Sequence, residues 1–357
     1  MPALQLFLIG APRCGKSTVF QALTNTPEGQ HSFTKGAHHI GTVKVPDTRL
    51  DDLRDLFKPK KFTPAEVTFV DVAVPPSPDG ENSLAQLTTF LGDADAFALV
   101  VQAFGDMDYR GNPLDSASQL ESVLLELVIS DLDRVEKRLE RIEQDRKRGL
   151  KVSEPEAVSL GKCKKHLEEN LPLRTLSLSA EDDKALRSMQ LLSLKPIMII
   201  ANVTEKQLDG SGLDALQKMV ESQKLNTLFF CAPLEAEMAQ LDAEAQAEFL
   251  KDYGIAEPAR IRLIQAAYRL LDLISFFTVG EDEVRAWTIR RGTPAVSAAG
   301  KIHTDLEKGF IRAEVVRCEE LLKTQSMAAC QKNATLRLEG KTYEVQDGDV
   351  MHIRHNA

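Results

Sequence analysis

The sequence has 357 residues, of which 43% are hydrophobic and 27% are charged. This composition is typical of folded globular proteins and excludes a wholly disordered chain, and the length suits two or three domains. The net charge of −9 argues against a protein that coats nucleic acid with its whole surface, although it leaves room for a local basic patch.

The cellular compartment is predicted from three features that the sequence lacks. No apolar run reaches the roughly 20 residues that a membrane-spanning helix needs, and the N-terminal residues lack the basic segment of a signal peptide. The five cysteines are scattered and form no C-x-x-C pair, so neither a disulfide framework nor a zinc site is expected. We therefore expect a cytoplasmic protein without a membrane association.

Short apolar runs of strand length recur through the chain and alternate with helical patterns, of which residues 17–25 are the first. Continuous apolar runs are typical of buried parallel strands. Strands that alternate with helices predict an α/β doubly wound sheet. The expected strands of this sheet are residues 4–9, 67–72, 97–101, 197–201 and 227–231.

A helical segment interrupts this sheet. Between residues 115 and 170 the composition shifts to Leu, Glu, Lys and Arg, and apolar residues follow the alternating spacing of a coiled-coil seam. We therefore predict an antiparallel helical hairpin inserted at residues 111–192, between two parts of the sheet domain at 1–110 and 193–275. Its charged stretch is either a plain solvated face or a partner-binding arm. The predicted seam consists of Val128, Leu132, Val135, Leu139 and Ile142.

Residues 276–357 predict a compact α+β domain. Several short runs have strand character, Gly340-Lys341 and Asp347-Gly348 supply turns, and residues 295–300 fit one short helix. One helix on a small mixed sheet is the expected arrangement. The expected strands are 287–289, 310–316, 335–338, 343–345 and 350–353.

Residues 10–17 read Gly-Ala-Pro-Arg-Cys-Gly-Lys-Ser and match the phosphate-binding motif G-x-x-x-x-G-K-[ST] at every fixed position. A predicted strand precedes the motif and a predicted helix follows it, whose positive dipole end favours phosphate. We expect Lys16 to reach the β- and γ-phosphates as a catalytic residue, and the Ser17 hydroxyl to ligate Mg²⁺. The residues expected to bind the nucleotide here are Gly10, Pro12, Arg13, Cys14, Gly15, Lys16, Ser17 and Thr18.

A second motif, Asn202-Val203-Thr204-Glu205, follows a predicted strand at the position where GTPases carry N-K-x-D. There the Asp accepts hydrogen bonds from the N1–H and 2-amino donors of guanine, and adenine lacks the 2-amino group. Glu205 and Val203 replace the Asp and the Lys, and both changes weaken the case for guanine. The alternative is a polar turn in which Asn202 only braces the phosphate loop. Cys231 and Ala232 lie where a backbone N–H could meet the base.

With these motifs in order, the chain resembles the YchF family, a branch of the Obg-related P-loop NTPases. The resemblance covers essentially the whole length. It implies a P-loop core, an inserted helical arm and a C-terminal β-grasp domain of the TGS type. It also implies a preference for ATP over GTP, weak hydrolysis, and association with ribosomes or other translation components. Beyond the two motifs, the resemblance rests on residues 231–235, 283–288, 302–315, 338–341 and 345–352.

The segment after the second predicted strand departs from the family's D-x-x-G pattern. Asp71 keeps the first position and can organise Mg²⁺ as a catalytic and metal-site residue, but Val74 replaces the Gly. In this class the Gly lets its N–H approach the γ-phosphate, and a β-branched residue resists the dihedral angles that Gly allows. Pro75-Pro76 stiffen the segment further.

The first switch is altered as well. By register, Lys35 stands at the position of the family's Mg²⁺-binding Thr, with Thr34 beside it. His38 and His39 either orient a water molecule or are solvated loop histidines. No Gln is placed like the water-orienting residue of a GTPase. Cys14, inside the phosphate loop, is either a thiol of lowered pKa or a buried inert one.

The C-terminal region contains a cluster of basic residues. Such a cluster fits either an RNA backbone or a solvated sheet face with ordinary ion pairs. The partners that we expect are a purine nucleotide and, through the TGS-like domain and the helical arm, a ribosome or RNA, with no DNA. The basic residues are Arg285, Arg290, Arg291, Lys301, Lys308, Arg312 and Arg317.

Three functional hypotheses follow. The first is a nucleotide-controlled translation factor that binds Mg·ATP, or Mg·GTP less well, and hydrolyses it slowly. The second is a nucleotide-gated scaffold without significant hydrolysis, which the altered switch at Val74 supports. The third is a small-molecule kinase, which the absence of an acceptor lid in the sequence disfavours.

Overall fold

The structure is a computed structural model, and it describes residues 4–24, 33–34, 38–72 and 88–356. Four residues noted above in the switches, Lys35, Val74, Pro75 and Pro76, lie outside the described residues. The contacts divide the chain into two compact units. The first contains Gln5–Gly41 and Phe69–Arg260, and the second contains Thr42–Thr68 together with the chain from Ile261 onward.

The strands are numbered along the chain. They are β1 (Gln5–Ile9), β2 (Phe33–Thr34), β3 (His38–Lys44), β4 (Lys61–Thr63), β5 (Glu66–Asp71), β6 (Ala96–Ala103), β7 (Ile197–Val203), β8 (Thr227–Phe230), β9 (Leu273–Thr278), β10 (Glu283–Arg290), β11 (Phe310–Arg317), β12 (Arg337–Glu339) and β13 (Asp349–His355).

The helices are numbered in the same way. They are α1 (Lys16–Thr24), α2 (Thr48–Phe57), α3 (Thr88–Leu91), α4 (Ser116–Lys147), α5 (Glu154–Glu168), α6 (Ala180–Leu186), α7 (Asp214–Ser222), α8 (Ala232–Met238), α9 (Ala243–Asp252), α10 (Ala259–Leu270), α11 (Ala295–Ile302), α12 (Thr304–Lys308), α13 (Cys318–Thr324) and α14 (Met327–Lys332).

The first sheet has seven strands in the order β2-β3-β5-β1-β6-β7-β8. The pairs β1–β6, β6–β7 and β7–β8 are parallel. Every residue of β6 and β7 is buried, as expected for central strands covered on both faces. The predicted α/β doubly wound sheet is therefore confirmed. The carboxyl ends of these parallel strands lie at one edge, and this places the loops after β1, β7 and β8 together.

The predicted helical hairpin is present as α4 and α5. Asp115 caps α4 by accepting from the Ser118 N–H, and Ser153 caps α5 by accepting from the Glu156 N–H. In the predicted seam Val128, Val135 and Ile142 are buried, while Leu132 and Leu139 are half-buried against the same cluster. Arg138 adds a bidentate ion pair between the helices, with 2.7 and 2.8 Å hydrogen bonds to the Glu156 carboxylate.

The second sheet has six strands in the order β12-β11-β13-β9-β10-β4. Helix α11 lies in its hydrophobic core, where Ala295, Ala298 and Ala299 pack with Phe276 and Val315. The prediction of a small mixed sheet with a helix at residues 295–300 is thus confirmed, but the unit has more helices than the one expected. The expected strand at 343–345 is wrong, because this segment forms only an isolated bridge from Glu344 to Pro294.

The second unit also draws in a segment of the N-terminal half of the chain. Strand β4 pairs in parallel with β10, and α2 packs against β10 and α13. No local pattern in the sequence indicates this pairing, and the domain boundaries at 110, 192 and 275 stay predictions. Residues 42–68 belong to the second unit by their contacts, although the predicted boundaries place them with the sheet domain.

Arg49 on α2 links this segment to the C-terminal part of the second unit. Its guanidinium donates to the Asp47 carboxylate at 2.7 and 2.9 Å and to Asp347 at 2.9 Å, and it lies 5.4 Å from the ring centroid of Phe277. The hydrogen bonds to Asp47 and Asp347 outweigh partial burial and raise the pKa of Arg49 above its ordinary value. Asp347 also accepts from the Ser275 N–H at 2.9 Å. One arginine therefore joins α2 to the turn before β13 and to β9.

Replacing this arginine should destabilise the second unit. We expect Arg49→Ala to cost about 2 kcal/mol, since it removes charge-assisted hydrogen bonds and leaves the Asp347 carboxylate, among the described residues, with its Ser275 hydrogen bond alone. Urea unfolding followed by fluorescence of Trp287, the only tryptophan, measures this. The matched control is Arg54→Ala on the same helix, whose ion pairs with Asp51 and Asp55 are exposed and should be worth under about 1 kcal/mol. Equal shifts for both variants would contradict the assignment.

Candidate functional site

The phosphate loop connects β1 to α1, which begins at Lys16. Close contacts with neighbouring residues require glycine at two positions of this loop. A Cβ on Gly10 would lie 2.2 Å from the Val100 carbonyl oxygen, and a Cβ on Gly15 would lie 2.1 Å from Nδ2 of Asn202. Both glycines also have positive φ angles, of 153° and 90°. The loop therefore fits against β6 and β7 only with glycine at these positions.

The Lys16 side chain turns back over the loop. Its Nζ donates to the carbonyl oxygens of Gly10 at 3.0 Å and Ala11 at 3.1 Å. The ammonium group is thus held on the loop that the motif assigns to the phosphates. This is the place where a cation can neutralise phosphate charge without rearranging the backbone.

Ser17 and Asp71 come together at the start of α1 and the end of β5. The Ser17 hydroxyl donates to Oδ2 of Asp71 at 2.7 Å. Asp71 is 3% exposed, and its Oδ1 is buried without a hydrogen-bond partner among the described residues. An unsatisfied buried carboxylate oxygen is costly unless water or a cation completes it.

This pair fits Mg²⁺, which prefers oxygen ligands and keeps several waters while it bridges to phosphates. Within the described part of the chain, no group of three or more His, Cys, Asp and Glu side chains could form a metal centre. Among the described residues, the oxygen atoms of Ser17 and Asp71 can serve as donors to a divalent cation at this site.

Asn202, at the end of β7, connects three loops. Its Nδ2 donates to the Cys14 carbonyl at 3.2 Å, and its Oδ1 accepts from the Ala232 N–H at 3.4 Å. Its side chain is 4% exposed. Of the two interpretations of this motif, the structure contains the contact expected for the one in which Asn202 braces the phosphate loop. The Ala232 N–H, one candidate to meet the base, is bonded to Asn202.

Glu205 is exposed, whereas Val203 of the same motif is 2% exposed and its side chain lies in the core. The Oε2 of Glu205 accepts a long hydrogen bond of 3.4 Å from the hydroxyl of Tyr253. The Tyr253 ring stacks on Phe249, with 4.7 Å between the centroids. The Glu205 charge, followed by partial desolvation, raises the pKa of Tyr253. Sequence reasoning missed Tyr253, since it lies 48 residues away from Glu205 and in no motif.

The two cysteines of the predicted nucleotide site are buried thiols. Cys14 is fully buried, and burial raises its pKa despite the opposing charge of Lys16. Burial also raises the pKa of Cys231. Of the two interpretations of Cys14, the structure favours the inert buried thiol, because a thiol of raised pKa carries little thiolate at neutral pH.

His38 and His39 lie in β3 rather than in a solvated loop. The His38 side chain is 6% exposed, and its ring stacks on Phe90 with 3.7 Å between the centroids. Burial lowers the pKa of His38. The expectation of solvated loop histidines is therefore wrong for His38, because the strand directs its side chain to the interior. The ring of His39 makes an edge contact with Phe20 at 6.3 Å.

The basic residues predicted as a cluster in the second unit differ in whether they have a partner. Arg291 pairs with Asp272 at 3.2 Å and Arg317 pairs with Asp349 at 3.3 Å. Arg285 lies 3.9 Å from the centroid of the Trp287 ring. Lys301, Lys308 and Arg312 make neither an ion pair nor a ring contact within the described ranges.

Among the described helices, none is both long enough and apolar enough to cross a lipid bilayer. Helix α4, the longest of them, has 32 residues with charged side chains along its length.

Comparison with known proteins gives a consistent result. Residues 273–356 match the family model YchF-GTPase_C, described as a protein of unknown function. The "Ribosome-binding ATPase YchF" of Bacillus subtilis is 38% identical, over 99% of this chain and 100% of its own length. The protein of the same name from Escherichia coli O157:H7 is also 38% identical, over 98% of both chains.

A solved structure agrees with these matches along the whole chain. The Schizosaccharomyces pombe YchF GTPase superposes with a TM-score of 0.87 at 29% identity and covers 99% of both chains. The similar proteins are named ATPases in the bacterial sequences and a GTPase in the solved structure. Together with the phosphate loop, these full-length matches show that the chain belongs to the YchF family of P-loop nucleoside triphosphatases.

Proposed function

We propose that this protein binds Mg·ATP at the phosphate loop, hydrolyses it slowly, and acts as a nucleotide-controlled factor that associates with ribosomes. The observation that carries the catalytic part is the meeting of Ser17 with Asp71, whose second oxygen is buried without a partner among the described residues. The names of the bacterial relatives support the ATPase and ribosome-binding parts.

In the proposed reaction, residues 10–18 surround the triphosphate and Lys16 neutralises its β- and γ-oxygens. Ser17 and Asp71 would hold Mg²⁺, which supplies positive charge for the developing negative charge of the γ-phosphate. Water attacks the γ-phosphorus and ADP leaves. Turnover is slow because Val74 and Lys35 replace the residues that usually sense the γ-phosphate and ligate the metal.

We propose that Glu205 selects the base. Its carboxylate has two oxygens, and the Tyr253 hydroxyl already engages Oε2. The 6-amino group of adenine needs one acceptor, whereas the N1–H and 2-amino donors of guanine need two. An unpaired desolvated donor costs about 1–3 kcal/mol. Glu205, with one oxygen engaged by Tyr253, therefore favours ATP over GTP.

Ribosome contact is proposed for the second unit and for the arm formed by α4 and α5. Lys308 and Arg312 are exposed and Lys301 is half-buried, and none has an acidic partner among the described residues. Cations without an internal acidic partner are available for RNA phosphates. The arm contributes a long surface of mixed charge.

The alternative is a nucleotide-gated scaffold that hydrolyses nothing. The observation that favours it is the β-branched Val74 at the Gly position of the second switch, followed by two prolines. Nucleotide binding would then change what the protein recognises without being consumed. Phosphate release distinguishes the two hypotheses.

Single-turnover phosphate release from Mg·ATP, with the protein in excess, tests hydrolysis. We expect slow release that falls at least about 100-fold in Lys16→Ala and in Asp71→Asn, because each removes charge that the transition state requires. A matched control is Lys206→Ala, an exposed lysine beside the base-reading motif. Release that persists in Lys16→Ala, or none from a wild-type protein that binds ATP, would contradict the ATPase assignment.

Competition between ATP and GTP tests the base-reading pair. We expect Glu205→Gln to reduce the preference for ATP, since a carboxamide offers one acceptor and one donor. Tyr253→Phe keeps the ring on Phe249 but frees Oε2, and we expect GTP binding to improve about 10-fold, or 1.4 kcal/mol, relative to ATP. In the Glu205→Gln background the second substitution should have no effect. A preference for GTP in the wild-type protein would show that this assignment is wrong.

The salt dependence of cosedimentation with purified ribosomes tests the basic residues. Replacing Lys301, Lys308 and Arg312 by Ala should weaken binding and reduce the slope of log affinity against log salt by about 2, as three phosphate contacts are lost. Arg291→Ala is the control, because Arg291 already pairs with Asp272. An unchanged slope in the triple variant would place the contact elsewhere.

A further inference from the structure

The tip of the phosphate loop is a four-residue turn from Ala11 to Cys14. The Cys14 N–H donates to the Ala11 carbonyl at 3.4 Å, so Pro12 and Arg13 are its central residues. Arg13 has a φ of 59°, in the left-handed region. Proline at the second position and a positive φ at the third is the pattern of a type II turn, whose third position favours Gly or Asn. Arginine is an unfavourable choice there.

This conformation carries an energetic penalty that no contact of the Arg13 side chain with the described residues offsets. A residue with a Cβ in the left-handed region costs about 1–2 kcal/mol relative to the right-handed one. The Arg13 side chain is exposed, and it makes no hydrogen bond, ion pair or ring contact with the residues that the structure describes. Non-glycine residues held in the left-handed region cluster at active sites and ligand clamps. Arg13 therefore has no structural reason to be at this turn.

The position of Arg13 relative to Lys16 suggests what it does. The Lys16 ammonium is bonded to the carbonyls of Gly10 and Ala11, so it lies against the same turn that carries Arg13 at its tip. A triphosphate seated on this loop meets a fixed ammonium and a free guanidinium. Arginine is suited to phosphate oxygens because its planar fork donates two parallel hydrogen bonds and does not lose its proton.

We propose that Arg13 is a catalytic residue, an arginine supplied by the phosphate loop itself that contacts the γ-phosphate and stabilises the transition state of hydrolysis. The proposal rests on the proposed ATPase function and adds a residue to it. Arginines that serve phosphoryl transfer in other P-loop proteins are supplied in cis by the same chain or in trans by a partner protein. Here the residue is three positions before the motif lysine.

The step balances without a further reactant. A water oxygen forms a bond to the γ-phosphorus while the bond from that phosphorus to the β,γ-bridging oxygen breaks, and its electron pair stays on ADP. The proton of the attacking water passes to solvent, and Arg13 remains protonated throughout. Its guanidinium offsets the charge that develops on the bridging and γ-oxygens, which is the role of an arginine in phosphoryl transfer.

The substitution Arg13→Gly separates catalysis from folding, because glycine adopts a positive φ without strain. We expect its single-turnover phosphate release from Mg·ATP to fall at least about 10-fold, while its dissociation constant for ATP changes less than about threefold. Its melting temperature should equal or exceed that of the wild type. Arg13→Lys should recover only part of the rate, since an ammonium cannot donate the paired hydrogen bonds.

Two further measurements sharpen the test. Mg·ADP with aluminium fluoride mimics the transferring phosphoryl group, and we expect Arg13→Gly to lose affinity for it while Mg·ADP alone binds unchanged. Lys58→Gly is the matched control. Lys58 is also exposed, carries a positive charge and has a φ of 46°, at the end of α2. It should gain stability and keep its full hydrolysis rate.

Distinct results would overturn the proposal. A wild-type rate in Arg13→Gly would remove Arg13 from catalysis and leave the ATPase assignment intact. Weaker ATP binding with an unchanged single-turnover rate would make Arg13 a ground-state contact only. Absence of phosphate release from the wild-type protein would overturn the proposed function together with this residue's role.

Discussion

The buried carboxamide of Asn202 determines the geometry of the nucleotide site. It donates to the phosphate loop at Cys14 and accepts from the turn at Ala232, so the loops after β1, β7 and β8 are held at fixed distances. The same contact leaves no room for a side chain at Gly15. An amide can do this because it carries donor and acceptor on one rigid plane, and burial makes both hydrogen bonds difficult to break.

This arrangement explains why the two halves of the candidate site differ in character. The phosphate half is rigid, since Gly10, Gly15 and Asn202 fit against the central strands with almost no free space. The base half rests on Glu205 and Tyr253, which are exposed and joined by one long hydrogen bond. Phosphate binding is thus specified by the fold itself. Under the proposed assignment, base preference depends on two surface side chains, which a few substitutions can change.

The sequence predicted those parts that local pattern determines. The phosphate loop follows from its spacing, and the buried strands of the first sheet follow from continuous apolar runs such as residues 97–101 and 197–201. The helical arm follows from its seam. These features depend on neighbours in the sequence, and so they are visible in a short window of residues.

Long-range pairings account for what the sequence did not predict. Arg49 donates a hydrogen bond to Asp347, which lies 298 residues further along the chain. No local sequence pattern indicates that residues 42–68 belong to the second unit. Tyr253 approaches Glu205 from a helix end outside every motif. His38 is buried because β3 carries it inside, next to Phe90, although its polar neighbours in the sequence suggested a loop. The segment at 343–345, which is not a strand, still packs Tyr343 and Val345 against the core of the second unit.

Charge distribution connects these features to the chemistry. The chain has a net charge of −9, yet Arg13, Lys16 and the N-terminal end of α1 concentrate positive potential at the phosphate loop. The carboxylate of Asp71 lies at the edge of this region, bonded to Ser17 and buried. A triphosphate alone would be repelled by Asp71, and a divalent cation alone would be repelled by Lys16. Only the two together would satisfy both, so the fixed charges of the candidate site fit the proposed metal-bound triphosphate better than either of its components.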